Sequence, residues 1–121
     1  MAREARKPGV PSSRSNDPPV LILTSLASGP KHGYALLLDI EAFAGVRLGP
    51  GTLYGAISRL EERGLIEAVG SSDRRRPYRL SPAGAEVLEA QLSDLRAIVD
   101  VGTARLAGTS FPRVARIGGS A

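Results

Sequence analysis

At 121 residues the chain suits one domain with a modest core and leaves little room for a second. It has no cysteine, which removes disulfides and thiolate metal sites, and no apolar run near the roughly 20 residues that span a bilayer. The net charge of +4 is unevenly held: residues 70–80 carry four Arg against one Asp, and residues 1–17 and 109–121 supply the other excess of base. A basic cluster on a near-neutral chain is the footprint of a polyanionic partner; an arginine-rich solvated turn is the alternative. The basic start MAREARKPGVPSSRSNDPP has no apolar h-region of a secretory signal, so the cytoplasm is the expected compartment and no membrane partner is expected.

Residues 1–17 are rich in Pro, Ser, Gly and charge without an apolar period, and read as a disordered basic arm. Asp17 before Pro18 supplies a cap and a first-turn proline for a helix carrying Val20, Leu21, Ile22, Leu23, Leu26 and Ala27. Such an apolar run also fits a buried strand; the cap and the Ser28-Gly29-Pro30 stop favour helix. A second helix is predicted from about Lys31 to Ala44, with Tyr34, Leu37, Leu38 and Phe43 near its buried stripe and Gly45 ending it.

A third helix opens at Gly49-Pro50 and closes at Gly64. Leu53, Ile57 and Leu60 recur at i, i+4 and i+7 and face inward. The opposite face then carries Gly51, Gly55, Ser58 and Glu62, flanked by Thr52, Tyr54 and Arg59. Each glycine costs a helix about 1 kcal/mol relative to alanine, so two on an outer face suggest close approach to another surface. Tyr54 can instead be half-buried packing, and Arg59 and Arg63 can instead pair with Glu62 or Glu67 on a solvated face, the expected reading for Arg63.

LIEAV, GSSDRRR and PYRLS read as strand, polar turn and returning strand, a hairpin with a basic tip. Ser81 caps, and Pro82 opens, a final helix whose Leu88, Leu92, Leu95, Val99 and Leu106 form a heptad seam, with Gly102 in one slot and Val87, Ile98 and Val101 widening it. That stripe must bury against something, and a second copy of the chain is the natural partner. Residues 109–121 look like an unstructured tail.

Three short helices followed by a basic hairpin are the order of a winged helix-turn-helix, mainly α with a small β wing (α+β). The division expected is 1–17 arm, 18–81 winged domain, 82–108 dimerisation helix and 109–121 tail. Over roughly residues 18–107 the chain resembles PadR-type transcriptional regulators, through GPKHGYALLLDI, GPGTLYGAISRLEERGLIEAV and RPYRLSPAGAEVL. The combination of HGY, GTLY and RLEERGLI at this spacing is what makes the match specific.

The resemblance implies a homodimeric, DNA-binding regulator, usually a repressor, acting on a pseudo-palindromic operator. It places Tyr34 of the second helix and Thr52, Tyr54 and Ser58 of the third on double-stranded DNA, Arg74, Arg75 and Arg76 at the wing tip, and the helix after Pro82 in the dimer. Gly51, Gly55 and Arg59, read above on the outer face of the third helix, are expected to share the DNA contact. Departures are Gly49 where the family commonly caps with Ser or Thr, Gly55 where it commonly has proline, and no Trp, so the bulky aromatic common in the first wing strand is missing. The resemblance leaves open whether a small-molecule effector is a further partner, and the missing aromatic removes the usual lining of an aromatic effector pocket.

Ser58 and Ser81 have no histidine base in credible geometry, His32 is a lone histidine, and no phosphate-binding glycine loop occurs. Neither an enzyme, a metal nor a cofactor is therefore expected. Two other readings fit the elements: a winged helix gripping an acidic protein through its hairpin, and a MarR-like DNA-binding dimer. The short region before Val20 argues against the latter.

Overall fold

The computed structural model describes residues 17–70 and 76–109. Helix α1 spans Pro18–Leu26. Asp17 takes the extended N-cap backbone conformation and its carbonyl accepts from Leu21 N–H at 3.1 Å, but its carboxylate makes no capping bond. The expected side-chain cap is thus corrected, because Pro18 and Pro19 carry no N–H and leave little to cap. Val20, Leu21, Ile22, Leu23 and Leu26 are all buried. A helix apolar all round must be enclosed, and α1 packs against both helices that follow and the second strand of the hairpin. Its C-terminal end is closed by Lys31, whose Nζ donates to the Ser25 carbonyl and to Ser28 Oγ at 2.8 Å, a cation at the negative end of the dipole.

Helix α2 spans Gly33–Ala44, starting two residues later than the pattern predicts. The reason is non-local. Lys31 exchanges both backbone bonds with Tyr78, at 3.0 and 2.9 Å, and is held extended. Gly45, at φ +68°, ends the helix as expected. The buried face is a correction: Gly33, Leu36 and Ile40 are enclosed, with Leu37 and Ala44 packed beside them, while Tyr34, Leu38 and Phe43 are exposed. Apolar residues ring this helix, so periodicity alone does not choose a side. The neighbours do: buried Ser25 donates from Oγ to Asp39 Oδ2 at 2.6 Å, and Tyr34 and Leu38 point away from Leu36 and Ile40.

Helix α3 spans Pro50–Glu62 and buries Leu53, Ala56, Ile57 and Leu60. Gly64, at φ +75°, terminates it in a Schellman arrangement, with Leu65 N–H on the Leu60 carbonyl and Gly64 N–H on that of Glu61, both 3.0 Å. Strands β1 (Ile66–Ala68) and β2 (Tyr78–Leu80) pair antiparallel with Ile66 opposite Leu80 and Ala68 opposite Tyr78. Val69 N–H on the Pro77 carbonyl at 2.8 Å extends the ladder by one step.

Helix α4 spans Pro82–Ala107. Ser81 caps it as expected: its Oγ accepts from Gly84 N–H at 3.0 Å and donates to the Gly64 carbonyl at 2.6 Å. Two compact units divide the chain after Ala90, so the first turns of α4 belong with the winged unit. Leu88 is 6% exposed within that unit's core. This corrects its place in the seam: a side chain already enclosed by its own chain has no apolar surface left for a partner.

Candidate nucleic-acid interface

The inward residues of α3 at i, i+3, i+4 and i+7 fix which way the rest of that helix looks. Gly51, Thr52, Tyr54, Ser58 and Arg59 are exposed and Gly55 is half-exposed. The first three turns, Pro50 to Leu60, carry no acidic residue, and Arg59 lies in the third. The two glycines are not required by packing. A Cβ on Gly51 would have nothing within 4 Å, and one on Gly55 would meet only Arg59 Nη1 at 3.6 Å. The fold therefore tolerates a side chain at both positions, and their bareness faces outward.

Tyr34, at the start of α2, is 70% exposed. Tyr54 divides its surface: it is 50% exposed, yet its ring rests on Gly33, whose Cα leaves no room for a side chain. Packing and outward display, the two readings open to Tyr54, thus hold together for one ring. Gly33 is the residue that sequence reasoning missed. The signal was HGY beside GTLY, a glycine at the one point where an aromatic from the next helix needs a seat.

The arginines separate. Arg74 and Arg75 lie outside the described residues. Arg76 is described, and it is not a free tip cation: its Nη2 lies 3.9 Å from Glu61 Oε2 of α3, and its side chain is 29% exposed. Arg79 Nε donates to Glu67 Oε1 across the hairpin at 3.0 Å. With Glu67 so occupied, the expected pairing of Arg63 fails, and among the described residues neither Arg59 nor Arg63 makes an ion pair. Arg63 is exposed, and it joins Arg59 as an uncommitted cation on α3 or its cap.

In the second unit, Leu92, Val99 and Leu106 follow one another at seven-residue spacing and all are exposed. Ile98 and Val101 are exposed beside them, and an open apolar groove is lined by Ala97, Ile98, Val101, Gly102 and Arg105. Leu95 is half-buried. Among the described residues no helix is long and apolar enough to cross a membrane, and no three His, Cys, Asp or Glu side chains gather as a metal site.

Three helices, a two-stranded antiparallel hairpin and a long final helix, with α3 turned outward, define a winged helix-turn-helix protein. Residues 22–90 match the model of the transcriptional regulator PadR-like family. The chain belongs to that family. It is 36% identical over 92 residues to transcriptional regulator Rv3488 of Mycobacterium tuberculosis, covering 74% of this chain and 82% of that one. A 37.1 kDa protein in transposon TN4556 of Streptomyces fradiae is 45% identical over 98 residues. That stretch is 81% of this chain but only 26% of the transposon protein, so the chain spans about a quarter of that relative. Among solved structures, a PadR family transcriptional regulator from Eggerthella lenta superposes with a TM-score of 0.62 at 30% identity, covering 80% of this chain and 87% of that one.

Proposed function

We propose that the chain is a homodimeric transcriptional repressor that binds a pseudo-palindromic duplex operator, with α3 of each copy in the major groove and the wing beside it. The observation that carries this reading is the outer face of α3: acid-free over its first three turns, with two glycines that nothing in the fold demands. The N-terminal part of a recognition helix is the part that reaches base edges, and bare backbone there allows the closest approach. Thr52, Tyr54, Ser58 and Arg59 share α3 with those glycines and Tyr34 stands exposed at the start of α2, all as hydrogen-bonding or stacking groups, and Arg74 and Arg75 supply phosphate contacts from the wing. The exposed heptad residues of α4 provide the seam between copies, and the protein meets its operator in the cytoplasm.

Duplex fragments of the source genome selected by the purified protein, sequenced and then titrated at several salt concentrations, test the reading. The expected result is one pseudo-palindromic sequence bound with a steep negative dependence of log K on log salt. The rival reading, a winged helix that grips an acidic protein, predicts no enriched sequence and no duplex binding at physiological salt. Either of those results would overturn the proposal.

A further inference from the structure

Arg76 sits where the wing leaves the body of the domain. The β1–β2 ladder ends at the bond from Val69 N–H to the Pro77 carbonyl, so Arg76 is the first residue beyond pairing. Its guanidinium turns back toward Glu61 in the last turn of α3, with Nη2 at 3.9 Å from Oε2. Its Nε is shielded from solvent and has no hydrogen-bond partner among the described residues. Both side chains keep contact with solvent, so the pair is a modest tether rather than a buried bridge, with only Nε withdrawn from water. Arg79 is likewise committed, to Glu67. Both described arginines of the basic segment thus face carboxylates, and the segment's remaining excess of base rests on Arg74 and Arg75 against Asp73.

We infer that Arg76 is a positioning residue: it ties the root of the wing to the recognition helix through Glu61 and sets the wing's angle on DNA without itself contacting a phosphate. This rests on the proposed DNA-binding function. Glu61 and Arg76 then act as one unit, and only their joint presence matters to the duplex.

The two roles differ in a double-mutant cycle of Arg76→Met and Glu61→Gln, read as duplex affinity across salt concentrations well below the melting temperature. Methionine keeps the packed stem while removing the charge. As a positioning residue, Arg76→Met lowers affinity several-fold with the salt slope unchanged, and has little further effect once Glu61 is Gln. As a phosphate ligand, it lowers the slope by about 0.9 and costs the same in either background, which would overturn the inference. Unchanged affinity in Arg76→Met would overturn it too. Wild-type protein that binds no duplex would remove the functional reading itself, a result visible before any variant is made.

Discussion

The ring of Tyr54 lies on the Cα of Gly33: a side-chain carbon there would fall 2.7 Å from Tyr54 Cζ and 2.8 Å from Cε1. Gly33 begins α2 and Tyr54 belongs to α3, so this contact joins the two helices of the helix-turn-helix. Gly33→Ala must displace the ring. Alanine improves the helix by up to about 1 kcal/mol, and a half-exposed ring can swing aside, so stability should change by less than that. Tyr54 and Ser58 are i, i+4 neighbours, however, and a ring moved outward crowds the proposed DNA face. Duplex affinity should fall at least tenfold with the melting temperature nearly constant. Equal affinity in gel shift would mean that the seat of the ring is irrelevant to DNA.

What could be read from the residues alone was whatever is local. Gly45 and Gly64 end helices through a single left-handed backbone angle, and Leu53, Ile57 and Leu60 repeat at one helical period. The face of α2 was not legible, since apolar side chains ring it and the choice falls to α1. Nor was its start, which Tyr78 sets from 47 positions downstream by bonding Lys31. Leu88 shows the same limit. Its heptad spacing is real, but the core that encloses it is assembled from distant segments. In the proposed interface, charge counting found the basic segment but could not show that Arg76 faces Glu61 or that Arg79 faces Glu67.

Gly84 is the tightest point at the start of α4. A Cβ there would overlap the Leu65 carbonyl oxygen and lie 2.9 Å from its carbon and 3.0 Å from Leu80 Cδ1. Backbone cannot swing away as Tyr54 can. Gly84→Ala should therefore cost at least about 2 kcal/mol, the overpacking penalty outweighing the helix propensity gained. Ser81→Ala should cost about 1 kcal/mol or somewhat more by removing the cap and a partner of the Gly64 carbonyl. Urea unfolding measures both, and a loss below 0.5 kcal/mol (roughly the scatter of surface substitutions) for Gly84→Ala would contradict the close approach.

Gly55→Glu separates fold from recognition. The new Cβ meets only the flexible end of Arg59 at 3.6 Å, and glutamate four residues before arginine adds a favourable helical pair. Circular dichroism should show the melting temperature unchanged or raised. Operator binding should drop more than a hundredfold, because a carboxylate then faces a groove lined with phosphates. A folded Gly55→Glu protein with normal affinity would exclude this face from the interface.

Arg74 and Arg75 are expected to supply affinity without sequence choice. Changing both to Ala should weaken binding to operator and random duplex alike, and reduce the salt slope by about 0.9 for each phosphate no longer neutralised. Selective loss of operator binding, with random-duplex binding intact, would instead make the wing a reader of sequence.

The dimer carries the last prediction. Leu92 is 44% exposed and Val99 61% exposed, one heptad apart, with Leu106 a heptad further on. Burial of such side chains is worth roughly 1.5–3 kcal/mol each, a strong drive for two copies to meet along α4. Leu88 is the wrong place to probe this, because a charge there would break the core of the winged unit, and half-buried Leu95 is ambiguous. Leu92→Asp with Val99→Asp adds two charges per chain to the seam at positions the single chain leaves open, so the fold should survive. Light scattering should show monomers whose winged unit melts as in the wild type. These monomers should still bind one half-site, but the full operator far more weakly, because linking two sites through a dimer raises avidity by about a hundredfold or more. A doubly substituted protein that remains dimeric would place the interface elsewhere. A wild type that is monomeric at micromolar concentration, yet binds its whole operator tightly, would remove the dimer from recognition altogether.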